Sequence, residues 1–151
     1  MHRVAVDRNQ AVDLALLGAG LTATLSARRG WTQFGGGRFQ TGAYAFDLAR
    51  TGLLNDSDRL GLRLSQPLRV ESGGFALSLP TDYDYATGTA RYSLTQMSMT
   101  PSGREIDAEL GYSTLLGRGW LGANLFVRRQ PGHIASADPD MGGAIRYSLG
   151  F

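Results

Sequence analysis

Strict alternation of apolar and polar residues is the feature that most constrains how this chain can fold. In residues 104–116 apolar or aromatic side chains hold the even positions from Ile106 to Tyr112, whereas Glu105, Asp107 and Glu109 hold odd positions. Residues 59–70 repeat the pattern, with leucine alternating with arginine, glycine and serine. A helix would mix these two sets because its period is 3.6 residues, whereas successive side chains of a strand lie on opposite faces. Both segments are therefore predicted to be β-strands.

The same alternation recurs in residues 21–28, 42–48, 74–79 and 121–128. Between these segments lie clusters rich in Gly, Pro, Asn, Asp and Ser, which are typical of turns. Short strands joined by tight turns predict an all-β fold, an antiparallel meander of about eight to ten strands that forms a membrane barrel or part of a larger, twelve-stranded one. We assign residues 1–151 to one domain.

Three segments leave alternatives open. Residues 1–20 contain either a partial first strand or a short helix, because residues 11–18 fit both. Residues 81–100 lose the alternation, which indicates either a long loop or a bulge within a strand. Pro67 interrupts an alternating segment, and because proline cannot donate to a sheet ladder it indicates an edge position or a bulge.

Composition excludes several classes of function. No apolar run approaches the roughly 18 residues that a membrane helix needs, so any membrane role must be carried by strands. The net charge is +2, all 15 basic residues are arginine, and no basic run is present, which argues against a nucleic-acid partner. The absence of cysteine excludes disulfides, thiolate zinc sites and a cysteine nucleophile.

Candidate catalytic and metal-binding residues are few. His133 shares a loop with Ser136 and Asp138, but catalytic triads are usually assembled from separate segments, and no Gly-x-Ser-x-Gly nucleophile turn is present. Carboxylates such as Asp84 and Asp140 are expected to be solvated in loops rather than bound to calcium. We therefore predict no catalytic residue, no metal and no cofactor.

The polar face carries two charged trios. In a membrane barrel the apolar face contacts lipid and the other face lines the lumen, the reverse of a soluble barrel. Some arginines of one trio are expected to pair with carboxylates of the other across the lumen, because an unpaired charge there is unfavourable. The predicted lumenal charges are Arg59, Arg63, Arg69, Glu105, Asp107 and Glu109. The predicted lipid-facing residues are Leu60, Leu62, Leu64, Ile106, Leu110 and Tyr147.

Aromatic residues near strand ends are candidates for a girdle at the membrane interfaces. They are Trp31, Phe34, Phe39, Tyr112 and Trp120. A solvated exterior would explain the charged rows equally well. A soluble, lipocalin-like barrel that binds a small ligand therefore remains the alternative, with the leucines lining its cavity.

The C-terminal residues form one more alternating strand. Ile145, Tyr147, Leu149 and Phe151 share one face, and the chain shown ends on phenylalanine. This pattern resembles the terminal β-signal of outer-membrane barrels, which the barrel-assembly machinery reads as an exposed last strand. The resemblance implies an assembly signal at these four residues and the assembly machinery as a partner.

Three further segments resemble one protein family. They are DRLGLRLSQPLRV at residues 58–70, YDYATG at residues 83–88 and PSGREID at residues 101–107. Together they resemble the C-terminal translocator region of subtilisin-like (peptidase family S8) autotransporter proteins, over residues 55–151. The resemblance implies a barrel in the outer membrane of a Gram-negative bacterium, in contact with lipid, that exports or displays an upstream passenger. In that family the passenger is a protease, which this chain does not contain, so no enzymatic activity is expected.

Translocators of that family usually have about twelve strands, more than 151 residues provide at about ten residues per membrane strand plus turns. The first residues also lack the apolar core of a signal peptide. We therefore expect either that upstream strands are missing from this chain, or that the barrel closes imperfectly near residues 11–18.

Overall fold

The alternating segments form antiparallel β-strands, as the sequence predicts. The computed structural model describes residues 6–34 and 37–149, with the backbone alone at Val6, Asp7, Arg8 and Phe34. Over these ranges the strands are β1 (Val6–Gly18), β2 (Leu21–Phe34), β3 (Gly37–Thr51), β4 (Arg59–Asp84), β5 (Thr89–Ser98), β6 (Ile106–Leu116), β7 (Gly119–Arg129) and β8 (Asp140–Leu149). The only helical segment in the same ranges is a single 3-10 turn, Pro131–His133. The prediction of an all-β antiparallel meander is confirmed.

The strands form one sheet in the order β1-β2-β3-β4-β6-β7-β8. β6 pairs with residues 59–65 of β4, and β5 pairs with residues 74–84 of the same strand. Since β3 pairs with the other edge of β4, β5 and β6 together behave as one strand that is interrupted at residues 99–105. The β4–β5 hairpin extends beyond the rest of the sheet.

The connections differ at the two ends of the sheet. One end, which we call the short-turn end, holds the turns at residues 19–20 and 117–118 and the loop at residues 52–58. The opposite end holds the tip of the β4–β5 hairpin and the ten-residue loop between β7 and β8, at residues 130–139. The longest connection between consecutive strands, residues 130–139, therefore lies at the end opposite the short-turn end.

The three ambiguous segments are now assigned. Residues 11–18 belong to β1 and are not helical. Residues 81–100 are not one long loop, because they contain the tip of the β4–β5 hairpin. The register shift between Pro80 and Asp82 agrees with the alternative of a bulge within a strand. Pro67 lies at a bulge, as predicted: Tyr44 pairs with Gln66 but Gly42 pairs with Arg69, so β4 carries one extra residue.

The sheet is open over the described residues. There, β1 pairs only with β2, and β8 pairs only with β7. The antiparallel meander is therefore established, whereas the predicted closure into a barrel is not seen. No helix in the part of the chain that the structure describes is long and apolar enough to span a membrane.

Candidate functional site

One side of the sheet is apolar from its first strand to its last. The register aligns Leu25 with Phe46 and Leu62 with Leu110, and this alignment continues from strand to strand. We call this side the apolar face. Its apolar members include Val12, Leu14, Leu16, Leu21, Ala23, Leu25, Trp31, Tyr44, Phe46, Leu48, Leu60, Leu62, Leu64, Ile106, Ala108, Leu110, Tyr112, Leu121, Ala123, Leu125, Val127, Met141, Ile145, Tyr147 and Leu149. The six residues predicted to face lipid all lie on this side.

The opposite side, the polar face, consists mainly of small and charged residues. Its members include Thr22, Thr24, Ser26, Arg28, Ala43, Ala45, Asp47, Arg59, Gly61, Arg63, Ser65, Asp107, Glu109, Gly111, Ser113, Gly122, Asn124, Phe126 and Arg128. Small side chains let neighbouring strands bend toward this side without steric conflict. The two faces therefore differ in both polarity and bulk.

The polar face is the more enclosed of the two. Ala45 on the polar face is 8% exposed, whereas its chain neighbours Tyr44 and Phe46 on the apolar face are 44% and 37% exposed. A cavity of about 470 Å³ adjoins the polar face, and its lining includes Ser26, Ala45 and Arg63. Side chains on the concave side of a curved sheet crowd together, whereas those on the convex side spread apart. Exposure and cavity together indicate that the sheet curves toward its polar face.

Charges meet in a row across the middle of the polar face. Arg63 lies between Asp47 on β3 and Glu109 on β6 in the register. Its guanidinium forms an ion pair with Asp47, at 3.5 Å between Nη1 and Oδ1. Asp107 lies opposite Ser65 and Arg128, and its buried Oδ1 has no hydrogen-bond partner among the described residues.

The predicted trios are therefore only partly brought together. Arg59 and Arg63 share the polar face with Asp107 and Glu109. Glu105 precedes β6, and its carboxylate accepts a hydrogen bond from the backbone N–H of Gly132, at 2.7 Å. The ion pair that Arg63 forms is with Asp47, a partner that the sequence pattern did not indicate.

Arg69 departs from the predicted face. Because β4 has an extra residue at its bulge, Arg69 pairs with Gly42, which lies on the same side as Tyr44 and Phe46. Its guanidinium donates to the carbonyl oxygens of Gly103, at 2.9 Å, and Pro101, at 3.2 Å. Arg69 thus holds the loop between β5 and β6 against β4 and does not join the other two arginines.

A polar cluster around Glu71 completes this attachment and was not predicted from the sequence. The Glu71 carboxylate forms ion pairs with Arg69, at 2.9 Å, and with Arg104, at 2.7 Å. Gln66, only 2% exposed, donates to Glu71 and accepts a hydrogen bond from Arg104. The cluster links the bulged part of β4 to Arg104 in the loop before β6. It lies along the stretch of β4 that pairs with neither β5 nor β6.

The predicted assembly signal lies on the last described strand. Ile145, Tyr147 and Leu149 share the apolar face, while Phe151 lies outside the described residues. The Tyr147 hydroxyl donates to the carbonyl oxygen of Leu116, at 2.9 Å. A Cβ on Gly119 would approach the Tyr147 ring to 2.7 Å, so the ring packs directly over this glycine.

Asp58 organises the loop between β3 and β4 at the short-turn end. Its carboxylate accepts hydrogen bonds from the backbone N–H groups of Leu53 and Leu54, both at 2.7 Å, and of Asn55, at 3.3 Å. The Tyr112 hydroxyl donates to the same carboxylate at 3.4 Å. Burial alone would raise the pKa of Asp58, but these donors outweigh it, so the pKa lies below its ordinary value.

Both ring nitrogens of His133 form hydrogen bonds with backbone groups. Its Nδ1 accepts a hydrogen bond from the N–H of Glu105, at 2.9 Å, so its Nε2 donates to the carbonyl oxygen of Leu68, at 3.1 Å. The ring therefore ties the β7–β8 loop to β4 and to the start of β6. Among the described residues, no group of three or more His, Cys, Asp or Glu residues could hold a metal ion.

The candidate girdle residues divide between the two ends and the two faces. Trp31 and Phe39 lie near the end of the sheet opposite the short-turn end, whereas Tyr112 and Trp120 lie near the short-turn end. In the register, Trp31 and Tyr112 fall on the apolar face, and Phe39 and Trp120 on the polar face. The side chain of Phe34 lies outside the described part of the structure.

No protein-family model, curated protein or solved structure matches this chain.

Proposed function

We propose that this chain forms part of the wall of a β-barrel in the outer membrane of a Gram-negative bacterium. The observation that carries the proposal is the continuous apolar face on the less enclosed side of the sheet. A soluble protein of this size rarely exposes so large an apolar surface, whereas a membrane barrel presents such a surface to lipid. The small and charged residues of the polar face then line a water-filled lumen.

The role of the barrel in this proposal is that of an autotransporter translocator. It anchors an upstream passenger and serves the export or display of that passenger. This part of the proposal rests on the resemblance of residues 58–70, 83–88 and 101–107 to S8-family translocators. The alternating β8 is compatible with recognition by the barrel-assembly machinery, and the passenger, not the barrel, would carry any protease activity.

The alternative is a soluble, lipocalin-like barrel that binds a small apolar ligand. Such a barrel would place its leucines on the concave side and its charges in water. The exposures of Ala45 and Phe46 favour the reverse arrangement, because the apolar residue is the more exposed of the two. This observation makes the membrane barrel the better supported function.

Expression with and without detergent separates the two functions. The membrane proposal predicts that the chain sediments or aggregates without detergent, dissolves in mild detergent and floats with phospholipid vesicles. A monomer that stays in solution without detergent and takes up a small apolar ligand would contradict the proposal and favour the lipocalin-like barrel.

A further inference from the structure

The path of the sheet ends at two edges that have no partner among residues 6–34 and 37–149: the outer edge of β1 and the outer edge of β8. The β4–β5 hairpin, which extends beyond the rest of the sheet, also has edges without a partner among these residues. Backbone N–H and C=O groups on an open edge are unsatisfied in hydrocarbon, and membrane barrels avoid such edges by closing the sheet. Under the proposed membrane function, both edges must therefore be paired.

β1 and β8 run in the same direction. β1 ends with Gly18 opposite Leu21, and β8 ends with Leu149 opposite Gly119, all at the short-turn end. Every pairing along the sheet is antiparallel, and the path from β1 to β8 holds seven strands, so its first and last members are parallel. Joining β1 directly to β8 would create a parallel pair in an otherwise antiparallel sheet.

The most exposed side chains of the apolar face also lie on these two strands. Leu16 on β1 is 76% exposed and Ile145 on β8 is 80% exposed, compared with 36% for Leu62 on the central strand β4. A side chain within a sheet is flanked by neighbours on both adjacent strands, whereas these two residues are flanked on one side only. The apolar face therefore continues to both edges without a polar boundary.

We propose that β1 and β8 together form an acceptor for one additional β-strand that runs opposite to both of them. The occupant is an extended polypeptide segment of about ten residues, in which apolar residues alternate with small or polar ones. Its apolar residues would continue the apolar face between Leu16 and Ile145. With it, the sheet path becomes an antiparallel ring of eight strands, an even number as is usual for bacterial outer-membrane barrels.

A second copy of this chain does not fit the acceptor. In the same membrane orientation, β8 of the copy would again meet β1 in parallel, so an antiparallel ring would not form. With two added strands, the strands that meet at the closure would again be parallel, because strand direction reverses with each antiparallel pairing. The proposal rests on the proposed membrane function and adds to it the direction of the closing strand and the odd number of strands required, of which one is the smallest.

The test adds strands that this chain already contains. One variant carries a copy of residues 119–129 ahead of residue 1, which supplies one strand, with residues 1–5 as the connection to β1. A second variant carries a copy of residues 106–129, the natural β6–β7 hairpin, which supplies two strands. A third carries the 119–129 copy in scrambled order, and the unextended chain is the reference. Tethering removes any dependence on the concentration of a free peptide.

The readouts are the rate of digestion by proteinase K and heat-modifiable mobility on electrophoresis, both after refolding with phospholipid vesicles. We expect the one-strand variant to be digested at least about tenfold more slowly than the other three and to be the one that shifts on heating. The proposal is overturned if the two-strand variant is as resistant as the one-strand variant, or if the unextended chain already matches it.

Vesicle flotation separates this proposal from the proposed function. If all four proteins float but the added strand gives no protection, the acceptor is refuted and the membrane function stands. If none floats, the membrane function fails. The digestion rates still test the acceptor in that case, because only an odd number of added strands closes the ring. The order of protease resistance among the variants is therefore expected to be the same in solution.

Discussion

The consequence of a charge on each face can be compared at two adjacent residues of β7. Leu125 lies on the apolar face and Asn124 on the polar face, and both are exposed. An arginine facing lipid near the bilayer centre destabilises a barrel by about 2–4 kcal/mol. Leu125 is 60% exposed, so loss of its lipid contact adds about 1–2 kcal/mol. We expect Leu125→Arg to lower the free energy of unfolding by about 3–6 kcal/mol.

The matched control is Asn124→Arg, for which we expect a change of about 1 kcal/mol or less, because a lumenal arginine remains hydrated. Both variants are refolded in phosphatidylcholine vesicles and unfolded with urea, with the fluorescence of Trp31 and Trp120 as the signal. Equal losses in the two variants, or a larger loss for Asn124→Arg, would refute the assignment of the apolar face to lipid.

Four further substitutions test the contacts that position the loops and the last strand. Asp58→Asn removes the negative charge that accepts the hydrogen bonds of its loop. Because folding lowers the pKa of Asp58, the carboxylate stabilises the fold above the unfolded pKa of about 3.9, and this stabilisation is lost as the pH falls through the folded pKa. The free energies of unfolding in urea should therefore differ between parent and variant at pH 7 and converge on acidification. His133→Ala removes two hydrogen bonds and should lower the free energy of unfolding by about 1–3 kcal/mol. Proteolysis should increase first at residues 130–139, and unchanged proteolysis there would contradict this role of His133. Tyr147→Phe should lose about 1 kcal/mol with the hydrogen bond to Leu116. Gly119→Val should lose more, because its added side chain meets both the carbonyl oxygen of Ser148 and the Tyr147 ring, and thermal unfolding that ranks the two variants in reverse would contradict the packing.

Alternation predicted the faces correctly wherever the strands are regular. Leu60, Leu62 and Leu64 share a face with Leu110 because β4 and β6 pair without a register shift over residues 59–65. The same reasoning failed at Arg69, because one inserted residue near Pro67 moves Arg69 to the other face. A second register shift, between Val70 and Ser72, restores the original alternation from Ser72 onward. Pro67 marked the irregularity, but its effect on the parity of later residues depends on how β3 pairs, which the sequence pattern does not define.

The partners of the charged residues were less predictable than their faces. Arg63 pairs with Asp47 because the seven-residue loop at residues 52–58 sets the register of β3 against β4. The Glu71 cluster likewise joins residues 33 positions apart, a separation that no local pattern reveals. Asp58, in contrast, stands in a run of turn-forming residues, and its tendency to accept nearby backbone N–H groups could have been inferred from residue type.

Cysteine scanning of β7 tests most directly whether the apolar face contacts lipid. The chain contains no cysteine, so single substitutions at residues 121–127 can be labelled without interference. In phospholipid vesicles, a water-soluble maleimide should react at residues 122, 124 and 126 and leave 121, 123, 125 and 127 protected. Uniform labelling, or protection of the even-numbered positions in place of the odd ones, would contradict the account.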